Sequence, residues 1–360
     1  MIKLSIITIN YNNAEGLRKT LASVASQTYA DIEHVIVDGG STDGSVEIIR
    51  QYADNECKVE CVSAHVVRWI SEPDKGIYNA MNKGIEIALG KRVVNDDHTS
   101  SPIANSQLPI ALTDYIQILN SGDILAADDV TERMMAALAA QCAEIKGNEE
   151  VKGYRLEVKG NENGEADTLA SRLSPLASKL TSDSAPASSL SPFASRLENC
   201  PAIFYGNMTK VNAAGQIVGK SGYTEYSLRQ FYQSTLNHDC AYIRKDLFEE
   251  YGLYDEKLKI VSDWKWYLQA IGLGRVKPVY VDIDVTIFDD GGISETQLDR
   301  RAAERRQVLE ELLPPAVLWD YDTHAFEMEQ MKRLRRWKMY GLVYLLERTL
   351  FKLEKWGVLG

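Results

Sequence analysis

The first fifty residues most constrain the fold, because they alternate twice between a β-branched run and an amphipathic run. Leu4 to Ile9 predicts a strand, and apolar residues then recur at helical spacing up to Gln27. Ile32 to Val37 predicts a second strand, and another helical pattern opens at Val46. This order of strand, helix, strand and helix predicts a parallel sheet joined by right-handed crossovers.

A third apolar run, Tyr115 to Leu119, predicts the central strand of that sheet, and Asn120-Ser121-Gly122-Asp123 ends it. In open α/β sheets, ligands bind just beyond the carboxyl ends of the strands. A carboxylate at this position suits a hard divalent cation that bridges a diphosphate. The alternative is that Asp123 only caps the next helix.

Polar side chains also follow the first two strands. Tyr11 follows the first, where its ring could stack on a base or simply pack beneath a loop. Asp38 follows the second, where a carboxylate could accept hydrogen bonds from a ribose or a base. Lys75 precedes the helical pattern of Ile77 to Ala88. There it could meet a phosphate, or it could be a solvated surface lysine.

Two segments interrupt the alternating pattern. Residues 91–113 lack a hydrophobic period and are interpreted as an inserted loop. Residues 146–199 are rich in Ser, Ala and Pro and repeat a short Leu-Ala-Ser pattern, which predicts disordered or loosely helical chain. We therefore expect one catalytic-type domain over 1–295, with both insertions, and a helical extension over 296–360.

Charge and cysteine content narrow the class of protein. The net charge of -11 argues against a nucleic-acid binder. The five cysteines are scattered without a Cys-x-x-Cys pair, so we expect free thiols in a reducing cytoplasm. No signal peptide is expected before the first strand, and no apolar run reaches the ~18 residues of a membrane span.

Five segments, taken together in this order, resemble the family-2 glycosyltransferases of the GT-A fold. They are Ser5 to Asn12, Val37 to Gly44, Asp74 to Gly84, Tyr115 to Asp123, and Ser262-Asp263-Trp264. The resemblance implies an α/β fold with a mostly parallel, Rossmann-like central sheet flanked by helices. It also implies inverting transfer of a sugar from a nucleotide-diphosphate sugar, with a UDP-sugar as the expected donor, in cell-surface polysaccharide synthesis.

The same resemblance implies roles for individual residues. Tyr11 and Asp38 would hold the nucleoside, Asp123 would hold a divalent cation (Mg²⁺ or Mn²⁺), and Asp263 would be the general base. Asn120, Lys75 and His238 would lie near the diphosphate, although His238 could equally be a core histidine. The chain departs from the family pattern at Asp38-Gly39-Gly40 and at Asn120 to Asp123, where one acidic residue stands in place of a richer acidic motif.

Two other activities compete with this interpretation. A nucleotidyltransferase would share the sheet and the metal carboxylate, but the chain lacks a glycine-rich basic signature near the first strand. A non-catalytic nucleotide-sugar-binding or scaffold protein is favoured by the reduced acidic motif and by the insertions.

The C-terminal stretch from Phe326 to Trp356 combines a broad apolar face with basic residues clustered near its start. Such a helix predicts either peripheral contact with an anionic membrane or packing against protein. Membrane contact would place the protein at the inner face of the membrane and would suit a lipid-linked acceptor.

Overall fold

A single mixed sheet organises the part of the chain that the structure, a computed structural model, describes. That part comprises residues 1–56, 65–92, 94, 113–153, 197, 200–212, 214–289, 296–336 and 339–355. Its strands are β1 (Leu4–Asn10), β2 (Ile32–Asp38), β3 (Val66–Ser71), β4 (Tyr115–Ile118), β5 (Ile124–Leu125), β6 (Ile203–Val211), β7 (Ile217–Lys220), β8 (Ala241–Arg244) and β9 (Val279–Asp289). They lie in the order β3-β2-β1-β4-β8-β6-β9-β5, with β7 paired to β6.

The strands β3, β2, β1 and β4 form a parallel half of the sheet. Their registers are unbroken, running from Leu4 opposite Ile32 to Asn10 opposite Asp38 between β1 and β2. Every residue of β1, β2 and β4 is buried, as expected for parallel strands covered on both faces. This half confirms the strands and crossovers that the sequence predicted.

The strands β8, β6, β9 and β5, with β7, form a mixed half. β8 is antiparallel to β4 and to β6, β9 is parallel to β6, and β5 is antiparallel to β9. The pairing partners of the strands in this half were not predicted from the sequence. The mixed α/β architecture expected of a GT-A fold, with a central sheet and flanking helices, is confirmed.

The helices of the described residues connect these strands and make up most of the C-terminal chain. They are α1 (Ala14–Ala25), α2 (Ser45–Glu56), α3 (Ile77–Ala88), α4 (Val130–Gly153), α5 (Leu228–Gln233), α6 (Asp246–Glu250), α7 (Ser262–Tyr267), α8 (Leu298–Leu312), α9 (Pro315–Arg336) and α10 (Tyr340–Lys355). A π-helical turn, Leu268–Leu273, continues α7. None of these helices is both long enough and apolar enough to cross a membrane.

The chain divides into two compact units. The first contains Met1–Thr224, Asn237–Glu256 and Arg275–Asp290, and the second contains Glu225–Leu236, Lys257–Gly274 and Gly291–Gly360. The second unit thus includes Glu225–Leu236, with α5, and Lys257–Gly274, with α7. Both segments lie within the range 1–295 that was expected to form the first domain.

The prediction of free thiols is wrong for two of the five cysteines. Cys142, on α4, and Cys200, just before β6, form a disulfide and pack in the core beside Leu138 and Phe204. The sequence could not show this pair, because 58 positions separate the two residues and only the return of the chain to the sheet brings them together. Cys240 is a free, buried thiol, and Cys57 and Cys61 lie outside the described residues.

The predictions for the two insertions fall largely outside the described residues. Within the described part, α4 runs to Gly153. Residues 146–153, the start of the segment predicted to be disordered or loosely helical, are therefore helical.

Candidate active site

The loops that follow β1, β2 and β4 meet at one edge of the sheet, because these neighbouring parallel strands end there together. Asn10 joins all three loops: its amide nitrogen donates to Asp38 Oδ1 at 2.9 Å, and its oxygen accepts from Ser121 Oγ at 2.8 Å. The loop after β1 is fixed further by Asn12, whose backbone N–H donates to Ser41 Oγ and whose side chain accepts from Thr42. The strand ends therefore form one hydrogen-bonded platform.

Asp38 lies inside this platform and is fully buried. Its Oδ1 accepts hydrogen bonds from the Asn10 amide and, at 2.6 Å, from Ser41 Oγ. Its Oδ2 accepts from the backbone N–H groups of Gly40 and Ser41 and from Ser71 Oγ. In this arrangement the carboxylate holds the β2 loop in shape, and its oxygens already have partners.

Tyr11 and Asp74 lie side by side above Gly39. A Cβ atom at Gly39 would stand 2.4 Å from Asp74 Oδ2 and 3.1 Å from Tyr11 Cδ2, so the two side chains keep these positions only above a glycine. The Tyr11 side chain is 65% exposed and offers its ring to a ligand. Asp74 uses Oδ1 to accept from the Gly76 N–H at 2.8 Å. An exposed aromatic ring beside a carboxylate can stack on a base and accept its N–H hydrogen bonds.

Asp74 is the residue of this group that the sequence analysis did not single out. It stands in the quoted segment Asp74 to Gly84, next to Lys75, so its position after the third strand was available as a signal. Lys75 itself is exposed at the start of α3, where the helix dipole and the lysine charge both favour an anion.

The rest of this segment is structural. Asn82 forms two hydrogen bonds of 2.9 Å with the backbone of Tyr254, one to the carbonyl and one from the N–H. Asn79 and Asn82 both donate to Glu256, and Lys83 pairs with Glu72 at 2.8 Å. The amides of α3 therefore anchor the 254–256 segment, while Asp74 and Lys75 remain at the helix start.

Asn120 and His238 meet at the end of β4. The Asn120 amide nitrogen lies 3.0 Å from His238 Nε2, so it donates to an unprotonated ring nitrogen. The Asn120 side-chain oxygen is buried and has no hydrogen-bond partner among the described residues. Such an orphaned oxygen is costly to bury unless a ligand supplies a partner.

Asp123 lies in the same tight turn, since its backbone N–H donates to the Asn120 carbonyl at 3.0 Å. The turn requires Gly122, whose φ is 114°, and Thr20 ties it to α1 by bonding both the Gly122 N–H and the Asp123 carbonyl. Asp123 is buried, and no group of three acidic, His or Cys side chains that could hold a metal occurs among the described residues. A cation here would have one carboxylate and one amide oxygen of the turn, which fits an ion that also takes phosphate oxygens.

Asp239, next to His238, is a buried carboxylate that the sequence analysis did not name. Burial raises its pKa, an effect that the neighbouring His238 and the hydroxyl of Thr286 oppose. Thr286 Oγ1 donates to it at 2.7 Å, and Gln117 donates to its backbone carbonyl at 2.6 Å. These bonds fix the backbone that presents His238.

Asp263 belongs to the second unit, in the first turn of α7. The capping position of α7 is Val261, which forms no side-chain cap, and Asp263 is the second residue of the helix. The helix is held by Trp264, whose Nε1 donates to the Phe231 carbonyl at 2.8 Å and whose ring lies 4.9 Å beneath the Arg305 guanidinium. Burial and Arg301 lower the pKa of Arg305, and the Asp263 carboxylate opposes that shift.

Part of the chain is similar to known glycosyltransferases. Residues 5–102 match the family model described as glycosyl transferase family 2. The chain is 32% identical over 139 residues to an uncharacterized glycosyltransferase of Mycobacterium tuberculosis, covering 38% of this chain and 40% of that protein. It is 41% identical over 86 residues to a PGL/p-HBAD biosynthesis glycosyltransferase of Mycobacterium bovis, covering 24% and 31%.

Among solved structures, the chain is similar to Staphylococcus aureus TarS 1–349 in complex with UDP-GlcNAc. The TM-score is 0.46 at 15% identity, with 82% of this chain and 61% of that chain covered. The description of the fold therefore rests on the strand topology given above.

The strand-end platform lies at the carboxyl edge of the parallel half of an α/β sheet. The N-terminal segment of the chain, residues 5–102, is similar to family-2 glycosyl transferases. The chain spans about 40% of the length of the M. tuberculosis relative.

Proposed function

We propose that the protein transfers a sugar from a nucleotide-diphosphate sugar to an acceptor hydroxyl, with inversion, in the synthesis of a cell-surface glycan. The observation that carries this proposal is the platform itself: the Tyr11 ring, the Asp74 carboxylate and the orphaned Asn120 oxygen lie on the loops that follow β1, β3 and β4 of the parallel half. A nucleotide sugar offers a base, a ribose and a diphosphate in the same linear order. The named relatives, which are glycosyltransferases, support the same class of reaction.

In this proposal the base stacks on Tyr11 and the nucleoside donates to Asp74, while Asp38 shapes the loop beneath them. Asp38 thereby supports nucleoside binding from inside the loop, and its buried hydrogen bonds favour that indirect role over direct contact. Lys75 and the N-terminus of α3 face the diphosphate, where a positive field stabilises the charge that develops as the leaving group departs. A UDP-sugar is the proposed donor.

A divalent cation, Mg²⁺ or Mn²⁺, would be held by Asp123 and the Asn120 oxygen. When bound, it would neutralise the charge of the departing diphosphate. We expect Asp123→Ala to weaken nucleotide binding only when the metal is present, because Asp123 would act through that ion. Calorimetry with UDP, with and without Mn²⁺, tests this. An equal loss in both conditions would remove Asp123 from metal binding.

Asp263 is proposed as the general base that takes the proton of the acceptor hydroxyl, a role worth roughly 10²–10⁴-fold in rate. We expect Asp263→Asn to reduce transfer by about that factor while UDP affinity stays within a few-fold. Asp299→Asn is the matched control, since Asp299 is an exposed acidic residue in the first turn of α8 in the same unit. Turnover of Asp263→Asn equal to that of the control would exclude this role.

The test of the function is incubation of the wild-type chain with labelled UDP-, GDP- and dTDP-sugars. Hydrolysis or transfer of one of them supports the proposal. Binding without any turnover would favour the other candidate, a non-catalytic nucleotide-sugar-binding or scaffold protein. The observation that favours this candidate is the single carboxylate at the end of β4.

We further propose that α10 contacts an anionic membrane surface, which would suit a lipid-linked acceptor. Leu342, Leu345, Leu346 and Leu350 recur at helical spacing and are each at least half exposed. Exposed basic residues, including Lys332, Arg333 and Arg336, lie in the last turns of α9. Apolar side chains next to basic ones favour the interface of an anionic bilayer, with about 1 kcal/mol of attraction per basic residue.

Co-sedimentation with vesicles of phosphatidylglycerol and phosphatidylcholine tests this contact. We expect the full chain to bind anionic vesicles at low salt and the double variant Leu342→Glu, Leu346→Glu to lose most of that binding. Glu347→Gln, on the same helix, is the control and should bind at least as well as wild type. Equal sedimentation of the double variant and wild type would exclude the contact.

A further inference from the structure

The strand β9 shifts its register with β6 on both sides of Asn207, and the displaced residues form a polar surface that the proposed donor site does not use. Tyr205 lies opposite Tyr280, but Asn207 lies opposite Asp284, so β9 places three residues where β6 has only Gly206. A Cβ atom at Gly206 would stand 2.5 Å from the Ile283 carbonyl oxygen and 2.6 Å from Val285 Cγ2. The bulge thus folds closely over Gly206, and bulges commonly redirect side chains beside functional sites.

The bulge gathers polar groups around Asn207. The buried Asn207 amide nitrogen donates to Asp282 Oδ1 at 2.9 Å and to Asp284 Oδ1 at 3.0 Å. The Asn207 oxygen accepts from the Tyr280 hydroxyl at 2.8 Å, and Lys220 pairs with Asp284 at 2.6 Å. Asp284 is therefore paired with Lys220, whereas the exposed Asp282 accepts from both Asn207 and the Tyr280 hydroxyl through Oδ1 alone. Its Oδ2 accepts no hydrogen bond from the described residues, so it can take a donor from a ligand.

Tyrosine rings border this carboxylate. The ring of Tyr280 lies 5.4 Å from that of the buried Tyr205 and 5.7 Å from that of Tyr223. Tyr223 is 70% exposed, so one ring of the group is available to a ligand. The faces of such rings carry partial negative charge and attract weakly positive C–H groups.

A short path connects this surface to the end of β4. The Asn237 amide donates to Ser221 Oγ at 3.1 Å, and the following residue, His238, contacts Asn120. Ser221 in turn lies two positions before Tyr223, and all of these residues belong to the first unit. The surface is thus built on the same segments that present His238 to the proposed diphosphate position.

We propose that Tyr223, Tyr280 and Asp282 form the subsite for the acceptor, and that it takes a neutral saccharide. A sugar ring offers a C–H face for stacking on Tyr223 and hydroxyl groups that donate to a carboxylate such as Asp282. The surface carries two carboxylates and one lysine, so its charge disfavours an anionic ligand. This inference rests on the proposed transferase function and names the chemistry of its acceptor.

The test uses the full chain and free neutral disaccharides as probes: lactose, cellobiose, chitobiose and mannobiose. Saturation-transfer NMR measures their binding in the presence of UDP. We expect at least one disaccharide to bind wild type and its Kd to rise about tenfold or more in Tyr223→Ala, as for an aromatic anchor. Asp282→Asn should weaken binding similarly, whereas Tyr223→Phe should retain it because the ring remains.

Val218→Ala is the matched control, because Val218 is exposed on β7 and is not one of the three proposed subsite residues. This variant should bind disaccharide as wild type does. UDP affinity, measured in the same samples, should be unchanged in every variant. Absence of disaccharide binding to wild type, or binding that survives both Tyr223→Ala and Asp282→Asn, overturns the subsite. If wild type neither binds UDP nor turns over a nucleotide sugar, the proposed function is overturned. Disaccharide binding is a separate measurement, so the two failures can be distinguished.

Discussion

In the parallel half of the sheet the strands pair residue for residue, and polar groups collect in the loops beyond their ends. In the mixed half β9 slips against β6, and polar groups project from within the strands themselves. The first arrangement brings polar side chains together at the sheet edge, as with Tyr11 and Asp74. The second brings them together within the strands, as with Tyr280 and Asp282. The comparison suggests a donor side built from loops and an acceptor side built from strand irregularity.

The largest expected effect is a loss of stability when a side chain is added at Gly206, beneath the β9 bulge. Gly206→Ala should lower the free energy of unfolding by about 2–3 kcal/mol, because the new methyl group meets a backbone carbonyl that cannot move cheaply. Urea denaturation followed by circular dichroism measures it. The matched control is Gly219→Ala on β7, where the nearest neighbour of the new Cβ would be Lys210 Cβ at 3.9 Å.

A Gly206→Ala protein as stable as the Gly219→Ala protein would show that β9 does not wrap closely over β6. The two halves of the sheet would then differ less than the registers indicate.

The second prediction concerns the pH dependence of stability, which we expect a buried histidine of the parallel half to set. His34 on β2 is fully buried between Thr8 and Tyr52, at 2.9 Å from each. Burial, with a contribution from His65, lowers the pKa of His34 to about 3, against 6.5 for the unperturbed group. The folded state therefore holds His34 neutral in the range from about pH 6.5 to pH 3, where the unfolded state binds a proton.

Because only the unfolded state binds a proton at His34 in this range, the protein keeps its full free energy of unfolding above pH 6.5. That free energy decreases as the pH falls below 6.5. From pH 7 to pH 5 this amounts to about 2 kcal/mol. We expect thermal denaturation to show that loss in wild type, and His34→Gln to have a shallower dependence by about the same amount. Burial raises the pKa values of Glu33 and Asp239 and so acts in the opposite direction, but it acts equally in both proteins. Identical pH profiles would mean that His34 is not buried neutral.

The sequence predicted the parallel half of the sheet well and the mixed half poorly. Strands of the parallel half are continuous apolar runs with sharp polar ends, so β1, β2 and the helix Ile77 to Ala88 were predicted almost to the residue. The bulge over Gly206 depends on which strands become neighbours, and no local pattern reveals that. The Cys142–Cys200 disulfide was missed for the same reason.

The site residues divide in a similar way. The positions of Tyr11, Asp38 and Asn120 at strand ends followed from the pattern, and Asn120 does meet His238. The sequence could not show that Asp38 is enclosed by five hydrogen-bond donors, because Ser71 and Asn10 reach it from other strands. Nor could it show that Asp74 lies over Gly39, since that contact joins two loops distant in the chain. The roles of these residues in binding remain predictions.

The smallest effect tests the donor side without disturbing the sheet. Gly39→Ala should raise the Kd for UDP about tenfold, equivalent to about 1.4 kcal/mol. The added Cβ would meet Asp74 Oδ2 at 2.4 Å and Tyr11 Cδ2 at 3.1 Å, both in side chains that can turn away. Because these groups would shift while the backbone stays in place, we expect the melting temperature to change little. Calorimetric titration with UDP and GDP measures the affinity.

Thr42→Ala is the control, as an exposed change in the same loop that touches neither side chain. Disaccharide binding should be unaffected in both variants, because the surface around Tyr223 lies on other strands. If Gly39→Ala binds UDP as tightly as Thr42→Ala, the Tyr11–Asp74 pair is not where the base lies. If it loses disaccharide binding as well, donor and acceptor do not occupy separate regions, and the division between loop-built and strand-built sides fails.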